Sequence, residues 1–313
     1  MIEEIAHDLL RIEIPLPGSP LKAVNSYVIR GQDRNLIVDT GLDHKECLKA
    51  MQAALTELQI DLRKTDFFIT HLHGDHCGLV HRIATATSKT YLNQPDLEII
   101  VGWAHGFPEN ELQAILDKRP GSKINPVWKP MDHFLTDERR IPVGVYHFQC
   151  IETPGHTKEH TCLFEPKKRI LIAGDHILSD ITPTIQCWSW HGNPVSDYLA
   201  SLEKVAALEI ELVLPGHGAP FSNLQQRIRE LKQHFKRRAQ EVLSVLADGP
   251  RVAYQLASQM TWYVVYASWD QFPPEQKWLA TGETIAHLRY LEEEGLVVRT
   301  RKDNRVFFAL HPG

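Results

Sequence analysis

Residues 67–76 read Phe-Phe-Ile-Thr-His-Leu-His-Gly-Asp-His, an apolar run opening onto three imidazoles and a carboxylate. The run reads as a buried strand. Four titratable groups within six positions at its end carry a heavy desolvation cost unless something pairs with them. Residues two apart in an extended chain share a face, so His71 and His73 can reach one point. Gly74 eases a tight turn that sets Asp75 and His76 just beyond. A fold built around this segment has to bring partner groups to the same place.

Three more segments end apolar, strand-like runs with the same residue types: TPGHTKEH at 153–160, AGDH at 173–176 and PGHG at 215–218. Glycines beside His156, Asp175 and His217 let the backbone pass close to a shared centre. Imidazole and carboxylate without thiolate suit a borderline divalent ion such as zinc, and also iron or manganese.

The rest of the chain excludes several classes of function. A length of 313 residues accommodates one domain of about 200 residues and a smaller one. The net charge of -5, with signs mixed, demands neither nucleic acid nor an anionic membrane as partner. No window reaches the roughly 18 uninterrupted apolar residues of a membrane span. The start MIEEIAHDLL lacks the basic and apolar regions of a secretory signal, and Cys47, Cys77, Cys150, Cys162 and Cys187 form no C-x-x-C pair. These features point to a reduced cytoplasm.

Short apolar runs dominate the first two-thirds. AVNSYVIRG, NLIVDTG, DFFIT, TYLN, VGVYHFQCIET, TCLFEP, RILIAGD and IELVLPGHG read as strands. HKECLKAMQAALTELQI, GLVHRIATATS and PVSDYLASLEKVAAL read as helices. Residues 93–140 are less regular, with helices expected at PDLEIIVGW and ENELQAILDKR, and are read as an insertion near a site entrance. The composition then changes. A long amphipathic helix from Asn223, helices at VAYQLASQM and TGETIAHLRYLEEEG, and two strands in LVVRTRKDNRVFFAL follow the order of a winged helix. The expected division is a catalytic domain over 1–222 and a winged-helix-like domain over 223–313.

The pattern H-x-H-x-D-H, followed in order by G-H-T, G-D and G-H-G segments, resembles the metallo-β-lactamase-fold hydrolase superfamily over about residues 10–222. The C-terminal part is similar to that of the β-lactamase-like subgroup with a short α/β extension. The resemblance implies an α/β fold, an αββα sandwich with metals at one edge. It implies that His71, His73 and His156 hold one ion, that Asp75, His76 and His217 hold a second, and that Asp175 bridges both. It also implies that Asp39, in VDTG, orients the ligand loops from behind. The antibiotic-degrading zinc relatives of class B1 have a cysteine at the bridging position. Asp175 instead matches thioesterase, lactonase and nuclease branches, so penicillin hydrolysis is not expected as the main role.

The cofactors so implied are two divalent ions, zinc foremost with iron or manganese as alternatives. About 3.5–4 Å apart, they would share a water and bring its pKa to about 7. The bridging hydroxide would attack an acyl or phosphoryl centre, with Asp75 orienting it. The leading expectation is hydrolysis of a small ester, thioester or lactone. The alternatives are a metal-dependent endoribonuclease or phosphodiesterase, and a mononuclear-iron persulfide dioxygenase.

Several residues near these motifs carry open readings. His160 is placed beside the site as a hydrogen-bonding or pocket residue, His176 is expected to point away, and Cys77 is buried filler or a redox-sensitive thiol. Trp188, Trp190 and His191, after the bridging segment, form either core or a substrate wall. The aromatic stretch 261–278 either packs on the first domain or offers a surface to a second copy of the chain. Arg237, Arg238, Arg299, Arg301, Lys302 and Arg305 supply positive charge, but TGETIAHLRYLEEEG holds more acids than bases, which disfavours groove readout of nucleic acid.

Overall fold

The computed structural model describes residues 1–93, 133–134, 140–187, 192–262, 266–303 and 305–312. The helices expected at 95–103 and 109–119, and Trp188, Trp190 and His191, lie outside the described residues. The chain divides into two compact units. Of the described residues, one unit holds 1–93, 133–134, 140–183 and 201–228; the other holds 184–187, 192–200 and the rest from 229 onward.

The first unit contains two sheets. Strands β1 (Ile2–Ala6), β2 (Leu9–Pro15), β3 (Ala23–Ile29), β4 (Asn35–Val38), β5 (Thr65–Phe68), β6 (Thr90–Leu92) and β7 (His133–Phe134) form the first, in sequential order. Strands β8 (Arg140–Val143), β9 (Tyr146–Glu152), β10 (Thr161–Glu165), β11 (Ile170–Gly174) and β12 (Leu212–Pro215) form the second, ordered β12-β11-β10-β9-β8. Alternation along each strand assigns its two faces. Tyr27, Ile29, Leu36, Val38 and Phe68 pack with Phe148, Leu163, Ile172 and Leu214 between the sheets. Their neighbours Val28, Ile37 and Phe67 face the other way, onto Cys47, Met51 and Leu55 of the helix Lys45–Glu57. Burying each large apolar side chain contributes roughly 1.5–3 kcal/mol, so a one-residue slip would move a whole face into water. On the second sheet, Ser201 and Lys204 of the helix Pro194–Ala206 donate to the carbonyls of Pro154 and Glu152 at the end of β9. The result is the mixed α/β sandwich that the pattern predicts.

Strand direction decides where the loops meet. β4 and β5 run parallel, as do β11 and β12. Parallel neighbours release their following loops at one end, and Asp39, Thr70, Asp175 and His217 stand there. Bonds across the sandwich close that end. Thr161 N–H donates to Thr70 O at 2.9 Å, and Asn25 N–H donates to Gly216 O at 2.7 Å. Tyr27 hydroxyl donates to Pro215 O at 2.7 Å.

Three local expectations are corrected. β1 and β2 precede the first strand read from the sequence; β1 carries Glu3 and Glu4 at a sheet edge, so it lacks an apolar run. VGVYHFQCIET is not a strand throughout: its first residues make a hairpin turn, where Gly144 takes φ +56°, and the strand β9 begins only at Tyr146. GLVHRIATATS holds only a four-residue helix, Val80–Ile83.

In the second unit, Ala239, Val242 and Leu246 of the helix Leu224–Leu246 pack with Leu256 of the helix Ala253–Ala257, with Leu288 and Leu291 of the helix Pro274–Glu293, and with Val297 and Phe308. The last two come from the antiparallel pair β13 (Val297–Lys302) and β14 (Arg305–Leu310). The helix expected from Thr281 starts at Pro274, where a proline in the first turn costs no hydrogen bond. Most of that helix is buried, including His287 and Arg289. No helix among the described residues is long and apolar enough to cross a membrane.

Candidate metal centre

The end of β5 delivers the first ligand group. Thr70 and His71 are fully buried, and the chain then turns through a short helical segment, Gly74–Cys77. This leaves Gly74 outside the left-handed region, so the turn does not depend on glycine there. Asp39, at φ +56°, presents its carboxylate to this loop from behind. It accepts from Thr70 N–H at 2.9 Å, from Thr70 hydroxyl at 2.8 Å, and pairs with His76 Nδ1 at 2.7 Å. Thr70 Oγ1 also lies 3.0 Å from His71 Nδ1. His217 Nδ1 lies 2.7 Å from the carbonyl of Ala23. Each of these rings therefore has one nitrogen anchored and Nε2 turned inward.

The inward atoms converge. His71 Nε2 and His156 Nε2 each lie 3.0 Å from His73 Nδ1. Asp175 places Oδ1 3.5 Å from His76 Nε2, and Oδ2 3.6 Å from His156 Nε2 and 3.5 Å from His217 Nε2. Asp75 Oδ2 lies 3.3 Å from His217 Nε2. Three overlapping groups could each hold an ion: His71, His73 and His156; His71, His76 and Asp175; Asp75, His76 and His217. Within each group the ligand atoms lie within 4.8 Å of one another. His76 Nε2, His217 Nε2 and Asp175 Oδ1 are buried without a hydrogen bond, which satisfied polar interiors avoid. Nitrogen and carboxylate donors in such clusters fit divalent cations.

Electrostatics divide the same groups. Burial, reinforced by the rings of His76 and His73, holds the His71 pKa well below the ordinary imidazole value. Burial also pulls down on His76, but the charges of Asp175 and Asp39 prevail and raise it well above that value. His217 is pushed up to about 9, against its burial, by Asp175 and Asp75. Burial opposes ionisation of Asp75, yet His217 and His76 bring its pKa to about 2. Without a cation, this pocket stores protons on His76 and His217, and metal binding has to displace them.

Sequence motifs bring these seven residues and Asp39 to one end of the sandwich. His160 is fully buried, with Nδ1 2.7 Å from Thr153 Oγ1 and Nε2 accepting from Asp175 N–H at 3.2 Å. It offers no surface to a substrate. His176 is also fully buried and belongs to none of the three groups. Cys77 is buried, its thiol pushed up to about 12 by burial, and Sγ lies 3.1 Å from His73 O. That disfavours a reactive thiolate. Trp188, Trp190 and His191 are not among the described residues.

Two contributors, Thr70 and Glu159, went unread in the sequence, and a third, Gly216, was among the glycines read beside His217. Thr70 ties Asp39 to His71. Glu159 is buried and accepts from Leu72 N–H at 3.1 Å. Gly216 passes so close that a Cβ there would stand 2.4 Å from Asp175 Oδ1 and 2.8 Å from His76 Cε1. The close approach of Gly216 is the one expected from the glycines of PGHG; Thr70 and Glu159 act through partners that no spacing reveals.

Comparison with known proteins identifies the family. The family model described as the metallo-beta-lactamase superfamily matches residues 20–217. A protein named probable metallo-hydrolase YqjP, from Bacillus subtilis, is 26% identical over 96% of this chain and 97% of its own. The atrochrysone carboxyl ACP thioesterase AgnL7 of Paecilomyces divaricatus is 25% identical over 99% of this chain and 88% of its own. Among solved structures, a metallo-beta-lactamase family protein of Thermus thermophilus is 27% identical. It superposes with a TM-score of 0.78, covering 98% of this chain and 100% of that one.

Proposed function

The chain belongs to the metallo-β-lactamase superfamily and is a metal-binding hydrolase of that family, and from that premise we propose that it hydrolyses a thioester with two zinc ions. In this reading His71, His73 and His156 hold one ion, Asp75, His76 and His217 the other, and Asp175 joins them. The observation that carries it is Asp175, whose two oxygens reach His76 on one side and His156 and His217 on the other. The preference for a thioester over an ester or lactone draws on the relative named as an acyl-carrier-protein thioesterase. We further read residues 223–313 as a winged-helix-like module, from its order of helices and hairpin.

Bound at these residues, two divalent ions would polarise the acyl oxygen and acidify water at neutral pH. The chain's own groups do the rest. His71, His76 and His217 are locked in orientation by Thr70, Asp39 and Ala23, so no ring has to reorganise during the reaction. Asp75, ionised and partly open to solvent, orients the attacking water and takes its proton. A C–O bond forms as the C–S bond breaks, and the proton passes from Asp75 to the departing sulfur. The buried second-unit helix Pro274–Glu293 offers little free surface for groove readout, which weighs against a nuclease.

The test is a panel of thioesters, esters, lactones, phosphodiesters and single-stranded RNA, assayed with metal content on the same sample. Thioester turnover with two zinc ions per chain, lost on chelation and restored by zinc, is the expected result. Full turnover in verified metal-free protein overturns the mechanism; one iron per chain with oxygen uptake, or RNA cleavage alone, overturns the substrate class.

A further inference from the structure

Between the two leading histidines lies the amide of Leu72, and the group that receives its hydrogen is a carboxylate 87 positions later, Glu159 Oε1 at 3.1 Å. Glu159 is only 8% exposed. Among the described residues no cationic side chain pairs with it. A buried carboxylate lacking a counter-charge is costly, and the compensation visible here is that one charge-assisted bond.

The surrounding chain makes the same connection repeatedly. Glu159 follows His156 by three residues. The next residue, His160, accepts from the N–H of Asp175 at 3.2 Å. Thr161, next again, donates its N–H to Thr70 O at 2.9 Å, and its hydroxyl to Glu159 O at 3.2 Å. Three consecutive residues thus grip the backbones of two other ligand loops, those of His71 and His73 and of Asp175. Of the three grips, only the Glu159 bond falls between two ligands of one group.

We infer that Glu159 is a positioning residue: its carboxylate fixes the backbone between His71 and His73 relative to His156, and so sets the spacing of that three-histidine group. This rests on the proposed assignment of metals to the two groups. The role depends on reach and on an acceptor oxygen, not on charge. The metal-free backbone is held by other bonds as well, so the effect appears in metal affinity before it appears in folding.

Two substitutions separate these terms. Glu159→Gln keeps the length and an acceptor oxygen but loses the charge. Glu159→Asp keeps the charge but falls one methylene short of Leu72. The full-length protein is titrated with zinc against a chromophoric chelator, resolving two binding steps, with thermal melting of the metal-free forms alongside. The wild type and Glu159→Gln are expected to bind two zinc ions alike. Glu159→Asp is expected to weaken one step on the order of 10–100-fold and to leave the other unchanged. Equal behaviour of the two variants, a loss confined to Glu159→Gln, or equal weakening of both steps overturns the inference. Failure of the wild type to bind two zinc ions would instead overturn the metal assignment itself.

Discussion

Buried polar atoms without hydrogen bonds occur in both units, and they differ in kind. In the first unit they include His76 Nε2, His217 Nε2 and Asp175 Oδ1, drawn from three separate loops and facing one another at about the reach of a shared cation. In the second unit His287 has both ring nitrogens buried and unbonded, on one helix, with the ring of Phe235 5.6 Å away. The first set has its outer nitrogens held by Asp39 and Ala23. Among the described residues, no hydrogen-bond partner holds either ring nitrogen of His287. Orphaned atoms therefore argue for a ligand when they converge from independent elements and are aimed by a second row of partners. A solitary orphan is a cost the fold carries.

The sharpest way to break this contrast is to remove Asp175. In the proposed assignment its carboxylate joins both groups, so Asp175→Ala is expected to lower the proposed thioester hydrolysis by at least about 10³-fold, the loss of several kcal/mol of cation-borne stabilisation. Metal content should fall with it. A variant that keeps two ions and normal turnover would mean that convergence at Asp175 carries no function. The next effect is smaller because it acts through a ligand. Asp39→Asn keeps an acceptor for Thr70 but removes the charge facing His76 Nδ1. Metal affinity is expected to drop on the order of 10–100-fold with the fold intact, as read by chelator competition and circular dichroism. Unchanged affinity would show that His76 needs no aiming from behind.

How much of this was readable beforehand follows from the range of the interactions. The apolar run before His71 and the alternation in β3 and β4 are local, so strands, faces and the residue types of the candidate ligands stand out in the sequence. β1 does not, because an edge strand with Glu3 and Glu4 needs no apolar pattern of its own. Nor does the hairpin at Gly144, which reads as a continuous strand until the backbone sign is known. Glu159 lies in a segment marked for its histidines, yet its partner is a main-chain N–H 87 residues away, and no side-chain pattern encodes that. The start of the helix at Pro274 was masked by the aromatic residues around it.

The smallest effect tests the other side of the comparison. Burial, with the charge of Arg238 and then of His234 against it, brings the His287 pKa down to about 3. Its neighbour Arg238 is itself engaged by Glu241 and Glu283, and stacks over Trp262 at 4.3 Å. In the unfolded chain His287 takes a proton near pH 6.5, whereas in the folded protein it resists until about 3. Between those values the unfolded state binds the extra proton, so this residue removes stability as pH falls. His287→Leu leaves no polar atom to satisfy, and is expected to be neutral or stabilising by about 1–3 kcal/mol, roughly 2–4 °C in Tm per kcal/mol. The gain over wild type should widen from pH 8 to pH 5, since only the wild type loses the proton-linked share. His71, His160 and His176 are depressed as well and contribute the same slope to both proteins. Thermal melting of the two proteins at the two pH values measures the difference directly. A variant destabilised equally at both would mean that the imidazole has a partner or a packing role worth more than its desolvation, and that a solitary orphan can be functional after all.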